Sequence, residues 1–200
     1  MNHFYSLVII LLTLVTGCAT TKSLSVQHYT LELSQTGVKA LVKRNSEKSL
    51  TIDTPKSIAA IKSRKILYQD KDHTLNAYAF SEWSDTPNRM FASLLLSALI
   101  DSTIFKVVLP VDSRADSDYV LESTLHTFRQ QINSQTSANA LVKITFYLLK
   151  KDTTTVISSR VFVSKIDAQS VDAIGGVKSF NTAVNEISDE LIEWLLSLEL

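Results

Sequence analysis

The chain has 200 residues, of which 45% are hydrophobic and 20% charged, and its formal net charge is zero. This composition fits one folded domain with a substantial core and excludes intrinsic disorder, which needs low hydrophobicity and high net charge. The balanced charge argues against a nucleic-acid partner, and the single cysteine excludes an internal disulfide framework and a cysteine-based zinc site.

The chain begins with an uncharged apolar run, FYSLVIILLTLV, over residues 4–15. A helix needs roughly 20 apolar residues to cross a membrane, whereas the apolar core of a secretory signal peptide has about 7–15. The run is therefore typical of a signal peptide, and we predict one over residues 1–17. Its first three residues depart from the usual pattern because they include no Lys or Arg.

The residues that follow this run, Val15, Thr16, Gly17 and Cys18, resemble a bacterial lipobox. The small Gly17 suits signal cleavage between Gly17 and Cys18. A buried core cysteine is the alternative, since free Cys is among the most buried residue types. The position of the only cysteine directly after the apolar run favours lipidation. The resemblance implies that Cys18 becomes an N-palmitoyl, S-diacylglycerol cysteine, and that Ala19, in place of Asp, directs the protein to the outer membrane.

After a short tether over residues 18–25, alternating polar and apolar residues predict the first strands of the domain. The predicted strands cover residues 28–33, 50–52, 65–68 and 75–80. The last two are separated by a charged turn at residues 70–72, which indicates a hairpin. Residues 37–48 are polar and are predicted as a loop.

A helix is predicted over residues 87–102. Thr86 can cap its start, and Pro87 suits its first turn. Leu96 and Ile100 lie off the main apolar stripe, so we expect the helix to be buried on more than one side. The main stripe consists of Phe91, Leu94, Leu95, Ala98 and Leu99.

The second half of the chain is predicted to contain further strands and the best-defined helix. The strands cover residues 105–109, 118–128, 140–151 and 156–163, and polar turns between the last three favour a meander. An apolar stripe opposite an acidic face predicts a helix over about 177–198. The order predicts a single α+β domain, with a largely antiparallel sheet of short strands packed against two main helices.

The sequence contains no motif that indicates an enzyme. It has no GxSxG elbow, no HExxH pair and no Walker lysine loop, and the pair Gly175 and Gly176 before the predicted final helix lacks GxGxxG spacing. Its histidines beyond the signal peptide are far apart in sequence, and its aspartate pairs suit turns better than calcium. These residues are His28, His73, His126, Asp70, Asp72, Asp116 and Asp118. We therefore predict no catalytic residues, no metal ligands and no cofactor.

Trp83 is the one candidate partner contact in the chain. It follows a predicted strand and precedes the first helix, and aromatic side chains dominate interaction hot spots. The alternative is that Trp83 closes one end of the core, and this structural interpretation is favoured.

Several short segments occur in an order that resembles one known family. They are YTL at 29–31, ILY at 66–68, Trp83, Pro87, DYVLE at 118–122, SRVF at 159–162, FNTAV at 180–184 and WL at 194–195. The ordered set resembles the ABC-type transport auxiliary lipoproteins, which include the lipoprotein of the paraquat-inducible intermembrane transport system. The similarity covers nearly all of the chain after the signal peptide, so residues 26–200 are predicted to form the auxiliary lipoprotein domain.

The resemblance implies a lipid-anchored docking subunit of an MCE-type ABC transport system that moves lipids between the inner and outer membranes. The implied partners are a periplasmic MCE protein, its permease and its ATPase, as separate chains, and a homo-oligomer of this chain is compatible with that role. The resemblance assigns no catalytic residues. Two alternatives remain open: an outer-membrane lipoprotein chaperone or assembly factor independent of any ABC transporter, and a periplasmic lipid carrier with an apolar cavity.

Overall fold

The computed structural model describes residues 25–34, 46–153, 155–198 and 200. Gly17, Cys18 and the rest of the predicted signal peptide and lipobox lie outside these residues, as does most of the predicted loop at 37–48. The elements are β1 (Gln27–Tyr29), β2 (Ser46–Ile52), β3 (Lys56–Ser57), β4 (Lys65–Gln69), β5 (Leu75–Trp83), α1 (Pro87–Ser102), β6 (Phe105–Pro110), β7 (Tyr119–Ser134), β8 (Ser137–Lys150), β9 (Thr155–Asp167) and α2 (Ala173–Ser197). They confirm the predicted single α+β domain with two main helices.

The long strand β7 is the centre of the sheet. One of its edges pairs antiparallel with β8, which pairs antiparallel with β9, and this is the predicted meander. The other edge pairs in succession with β2, β3 and β4, all parallel to β7. From there the sheet continues along two branches, one through β2 to β6 and the other through β4 and β5 to β1. The sheet is therefore mixed, with long antiparallel pairs and short parallel ones.

Strand β7 extends beyond the predicted residues 118–128 because its pairing with β8 continues to Ser134, and its buried positions change phase in the middle. The pairing with β8 passes from Leu125 opposite Ile144 to Thr127 opposite Lys143, which leaves His126 as an extra residue. Such a β-bulge moves the following side chains to the other face of the sheet. The strand therefore keeps a buried face through Phe128, although strict alternation from Leu125 would not place it there.

Helix α1 has the predicted limits, and its predicted apolar stripe is buried. The prediction that a second side of the helix is buried is right for Leu96, which packs against the core, and wrong for Ile100, which is 52% exposed. Thr86 occupies the capping position in an extended conformation, but its side chain makes no capping hydrogen bond. The hydrogen bond found at this position joins the backbone N–H of Thr86 to Oδ1 of Asp85, at 2.7 Å.

Helix α2 starts before the predicted residue 177, so Gly175 and Gly176 belong to its first turn. Close packing explains both glycines. A Cβ at Gly176 would lie 2.9 Å from Oε1 of Gln130, and a Cβ at Gly175 would collide with the backbone oxygen of Ser170. Gln130 also accepts a hydrogen bond from the Tyr78 hydroxyl at 2.6 Å, and burial raises the pKa of Tyr78 to about 12.

Asp172 caps the start of α2. Its Oδ1 accepts hydrogen bonds from the N–H of Gly175 at 2.8 Å and from the hydroxyl of Ser170 at 2.7 Å. The backbone hydrogen bond from Gly175 is the largest cause that holds the pKa of Asp172 below its ordinary value. The ionised carboxylate therefore stabilises the folded state.

We expect Asp172→Ala to lower the free energy of unfolding at pH 7 by about 1 kcal/mol, and Asp172→Asn to cost less because its amide oxygen still accepts. Since the folded pKa is lowered, the stabilisation by Asp172 is present above the ordinary value of 3.8 and is lost as the pH falls through the folded value. Urea unfolding of the three proteins across this range measures both effects. Equal stability of wild type and Asp172→Ala at pH 7 would contradict the capping role.

Candidate docking surface

Strand β9 forms one edge of the sheet. Within the part of the chain that the structure describes, it pairs only with β8, so the main-chain groups along its other edge have no strand opposite them. Several aliphatic side chains of this strand are exposed to solvent. They are Val156, Ile157, Val161 and Val163.

The helix-facing side of β9 is firmly packed. Phe162 is buried between Phe146 and Trp194, with ring centroids at 5.5 and 6.0 Å. The hydroxyl of Ser164 donates to Oε2 of Glu186 on α2 at 2.9 Å. These contacts hold the strand in place, so its outer side is presented on a rigid element.

The other side of β9 faces away from the helices. Val161 and Val163 are 53% and 55% exposed there, and they pair with Thr145 and Lys143 of β8. A strand that alternates between a core and solvent usually has polar residues on its solvent side. Two valines at these positions therefore form an apolar strip beside an open strand edge.

Natural proteins usually protect an open edge with charged residues, proline, a bulge or a covering loop. On the outer side, Lys165 follows the strip along β9 and Lys143 of β8 pairs with Val163. Arg160 lies on the helix-facing side, with its guanidinium 5.1 Å from the Phe162 ring centroid. The strip itself carries no charge. We call the outer edge of β9, with Val161 and Val163, the β9 edge. In the sequence, the only pattern that indicates the β9 edge is the presence of β-branched residues on both faces of this strand.

Trp83 does not contribute to any surface, so its interpretation as a partner contact is wrong. It is 1% exposed and packs edge-on against Phe128 and Phe180, with ring centroids at 5.8 and 5.6 Å. As the last residue of β5, it points into the space where the sheet meets α2. The alternative interpretation, that Trp83 closes the core, is confirmed.

The predicted turn aspartates lie in turns and bind protein groups. Asp70 accepts hydrogen bonds from the backbone N–H groups of Asp72 and Thr74. Asp116 forms an ion pair with Lys151 at 2.8 Å. Hydrogen bonds from Ser49 are the largest cause that lowers the pKa of the Asp118 carboxyl.

The histidines and acidic residues of the described chain are likewise not gathered into a metal site. Nε2 of His126 lies 2.8 Å from the Thr145 hydroxyl, on the strand where it was expected. Among the described residues, no three His, Cys, Asp or Glu side chains are grouped closely enough to hold a metal ion. Within the same residues, neither helix is long and apolar enough to cross a membrane.

Two solved structures share the fold. A protein of Xanthomonas campestris, XCC0632, is 21% identical, with a TM-score of 0.75 over 87% of this chain and 95% of that chain. An uncharacterised protein is 13% identical, with a TM-score of 0.68 over 86% of this chain and 99% of its own. At these identities the similarity shows the fold alone. No curated protein sequence matches this chain.

The sequence also matches one family model, described as the ABC-type transport auxiliary lipoprotein component, over residues 29–192. The matched range includes every strand from β2 to β9, helix α1 and most of helix α2. This range contains every segment that carried the resemblance in the sequence except the last, WL at 194–195. The chain belongs to the family of ABC-type transport auxiliary lipoproteins.

Proposed function

We propose that this protein is a lipid-anchored docking subunit of an MCE-type ABC transport system that moves lipids between the inner and outer membranes. Acyl chains on Cys18 hold it at the periplasmic face of the outer membrane, and the domain binds a periplasmic MCE protein that works with a separate permease and ATPase. Membership of the auxiliary lipoprotein family supports a role beside an ABC transporter. The open, apolar β9 edge is the observation that carries the docking role.

The β9 edge suits a protein partner because an open strand offers two kinds of contact together. A partner strand can pair with its main-chain N–H and C=O groups, and the side chains that alternate along it give specificity. Val161 and Val163 add apolar area beside those groups. Contacts of this kind need no cofactor and no catalytic group.

The anchor follows from the predicted lipidation of Cys18. One acyl chain gives only weak, reversible binding, at about 0.8 kcal/mol for each buried methylene, so two or more chains are needed for stable attachment. The N-palmitoyl and S-diacylglycerol groups implied at Cys18 satisfy this requirement. The domain is then confined to the membrane surface, where a short tether limits its range.

The test is a crosslinked pull-down of the full-length protein from its native envelope, in wild-type form and with Val161→Lys. The lysine places a charge on the apolar strip, so we expect recovery of the MCE protein to fall at least about tenfold, the effect of losing roughly 1.4 kcal/mol of binding free energy. Val107→Lys is the matched control, since Val107 is 44% exposed on β6, another edge strand. Recovery with this control should equal that of the wild type.

The identity of the recovered proteins decides between the open alternatives. Recovery of outer-membrane assembly proteins, without an MCE protein or ABC components, would overturn the proposal in favour of a chaperone or assembly factor. Bound lipid extracted from the purified domain would favour a lipid carrier. Crosslinks between two copies of this chain that disappear with Val161→Lys would assign the β9 edge to a homo-oligomer instead.

A further inference from the structure

Three basic residues lie close together on the outer face of β7, β8 and β9, the face turned away from the helices. We call Arg129, Lys143 and Lys165 the basic cluster. Arg129 of β7 pairs with Leu141 of β8, and Leu141 pairs with Lys165 of β9, so these residues form one row across the strands. Lys143 follows Leu141 on the same face, opposite Val163. The basic cluster therefore surrounds Leu141 and reaches the β9 edge.

The side chains of the basic cluster have no ion-pair partner in the part of the chain that the structure describes. Lys143 and Lys165 are exposed, and Nε of the partly buried Arg129 makes no hydrogen bond. The two lysines are diagonal neighbours on adjacent strands, with Cβ atoms about 7 Å apart. Like charges at this spacing repel each other. The free surface therefore lacks the negative charge that would offset this repulsion.

Asp167 marks the end of the positively charged part of β9. It is exposed on the same face, two residues beyond Lys165 and opposite the fully buried Asn139. Along its outer face β9 therefore presents two valines, a lysine and an aspartate in order, at residues 161, 163, 165 and 167. A strand that pairs with the β9 edge meets this order with every second residue.

We propose that the partner strand that docks on the β9 edge is amphipathic and acidic, with aliphatic residues beside Val161 and Val163 and a glutamate or aspartate beside Lys165. This inference rests on the proposed function and names the chemistry of the docked strand. Adjacent strands lie about 4.8 Å apart, so a carboxylate at that position is a direct cross-strand neighbour of Lys165. Lys143 has a long, flexible stem and can approach the same carboxylate across β9.

The charges also fix the register of the partner strand. A slip by two residues would move the carboxylate from Lys165 to a place beside Val163, where it has no direct counter-charge, or beside Asp167, where it is repelled. The partner strand should therefore be neutral or basic beside Asp167. Electrostatic complementarity of this kind selects one arrangement more than it adds affinity.

Two probe peptides test this chemistry on the full-length protein purified in detergent. Both are strands of about nine residues. One has the order glutamate, valine, valine, glutamate on one face, and the other has lysine in place of each glutamate. The order is symmetric, so it fits either strand direction. We expect the glutamate peptide to bind at least about fivefold more tightly, by fluorescence anisotropy at low salt, and Lys165→Glu to reverse this preference.

Lys62→Glu is the matched control, because Lys62 is exposed in the turn before β4 and the substitution changes the net charge equally. It should leave the preference for the glutamate peptide unchanged. Hydrogen exchange should also become slower along β9 when this peptide is bound. Equal binding of the two peptides, binding of neither, the same preference in Lys165→Glu, or protection that excludes β9 would each overturn the proposal.

A lipid surface is the other occupant that suits basic and apolar side chains together. Co-sedimentation of the chain from Ala19 onward, which carries no acyl groups, with vesicles of phosphatidylglycerol and phosphatidylethanolamine tests it. We expect no binding that depends on Lys165. Binding that Lys165→Glu abolishes would assign the basic cluster to a membrane surface and overturn the acidic strand.

Failure of this inference differs from failure of the proposed function. If the pull-down from envelopes recovers no MCE protein, the proposed function fails, and the peptides still decide the chemistry that the β9 edge selects. If it recovers an MCE protein equally from the wild type and from Lys165→Glu, the acidic strand is overturned and the docking role stands.

Discussion

Replacement of Cys18 by alanine is expected to move the protein from the membrane fraction to the soluble periplasmic fraction. Cys18 is the only cysteine and the only acyl acceptor that the sequence predicts. Each acyl methylene contributes about 0.8 kcal/mol to membrane binding, so losing all the chains removes the attachment almost completely. Fractionation of cell envelopes, with intact-mass measurement of the mature protein, checks both the location and the acyl groups.

An uncleaved signal peptide would also retain the chain at a membrane, so this experiment needs a matched reference. The chain from Ala19 onward behind a non-lipoprotein signal peptide supplies it, because it lacks both the anchor and the lipobox. Thr20→Ala, within the tether, should remain with the membranes. Wild-type protein of unmodified mass, or membrane retention of the reference, would contradict lipid anchoring at Cys18.

Trp83→Ala is expected to cause the largest loss of stability in the folded domain. Trp83 is fully buried against Phe128 and Phe180, whose own rings stack at 4.4 Å, so alanine leaves a cavity where the sheet meets α2. Truncation of a buried aromatic side chain costs about 3–5 kcal/mol, as lost burial and cavity formation add. Urea unfolding, monitored by far-ultraviolet circular dichroism, measures this loss.

Trp83→Phe is the control for this prediction, because phenylalanine keeps an apolar ring in the same space and should cost clearly less. Trp83→Ala with nearly unchanged stability, combined with loss of partner recovery from envelopes, would contradict the core assignment. It would return Trp83 to the role of a partner contact.

Local patterns in the sequence predicted much of the architecture. The hairpin of β4 and β5, the limits of α1 and the meander of β7, β8 and β9 all match the structure. Each depends on alternation or helical spacing within one stretch of chain, together with short turns. Such signals need no information about distant residues.

Most of the errors have a different origin, since they concern contacts between residues far apart in the chain. The two-residue strand β3 exists because it lies beside β7, and nothing in Lys56 and Ser57 alone indicates it. Residues 30–33 alternate like a strand, but their partners are Asn181 and Asn185 of α2. The glycine pair resembles a connection, but its place is within the first turn of α2.

The candidate site shows the same division. The apolar run at residues 4–15, followed by Gly17 and Cys18, predicts the anchor by its order alone, and no tertiary contact is needed for that inference. The β9 edge could not be predicted, because Val161 becomes an edge residue only through the strands that do or do not pair with β9.

The sequence by itself determined the apolar faces, most element limits, the predicted signal and lipidation site, and the family. Only the tertiary structure decided that Trp83 is buried and that β2, β3 and β4 pair parallel to β7. It also decided that β9 pairs with only one of the described strands, and that Asn181 and Asn185 bind the backbone of residues 30–34. The physical reason is that alternation and helical spacing are set by neighbouring residues. Pairing direction, edge position and side-chain partners depend instead on contacts between distant segments, such as Ser34 and Asn185, which are 151 residues apart.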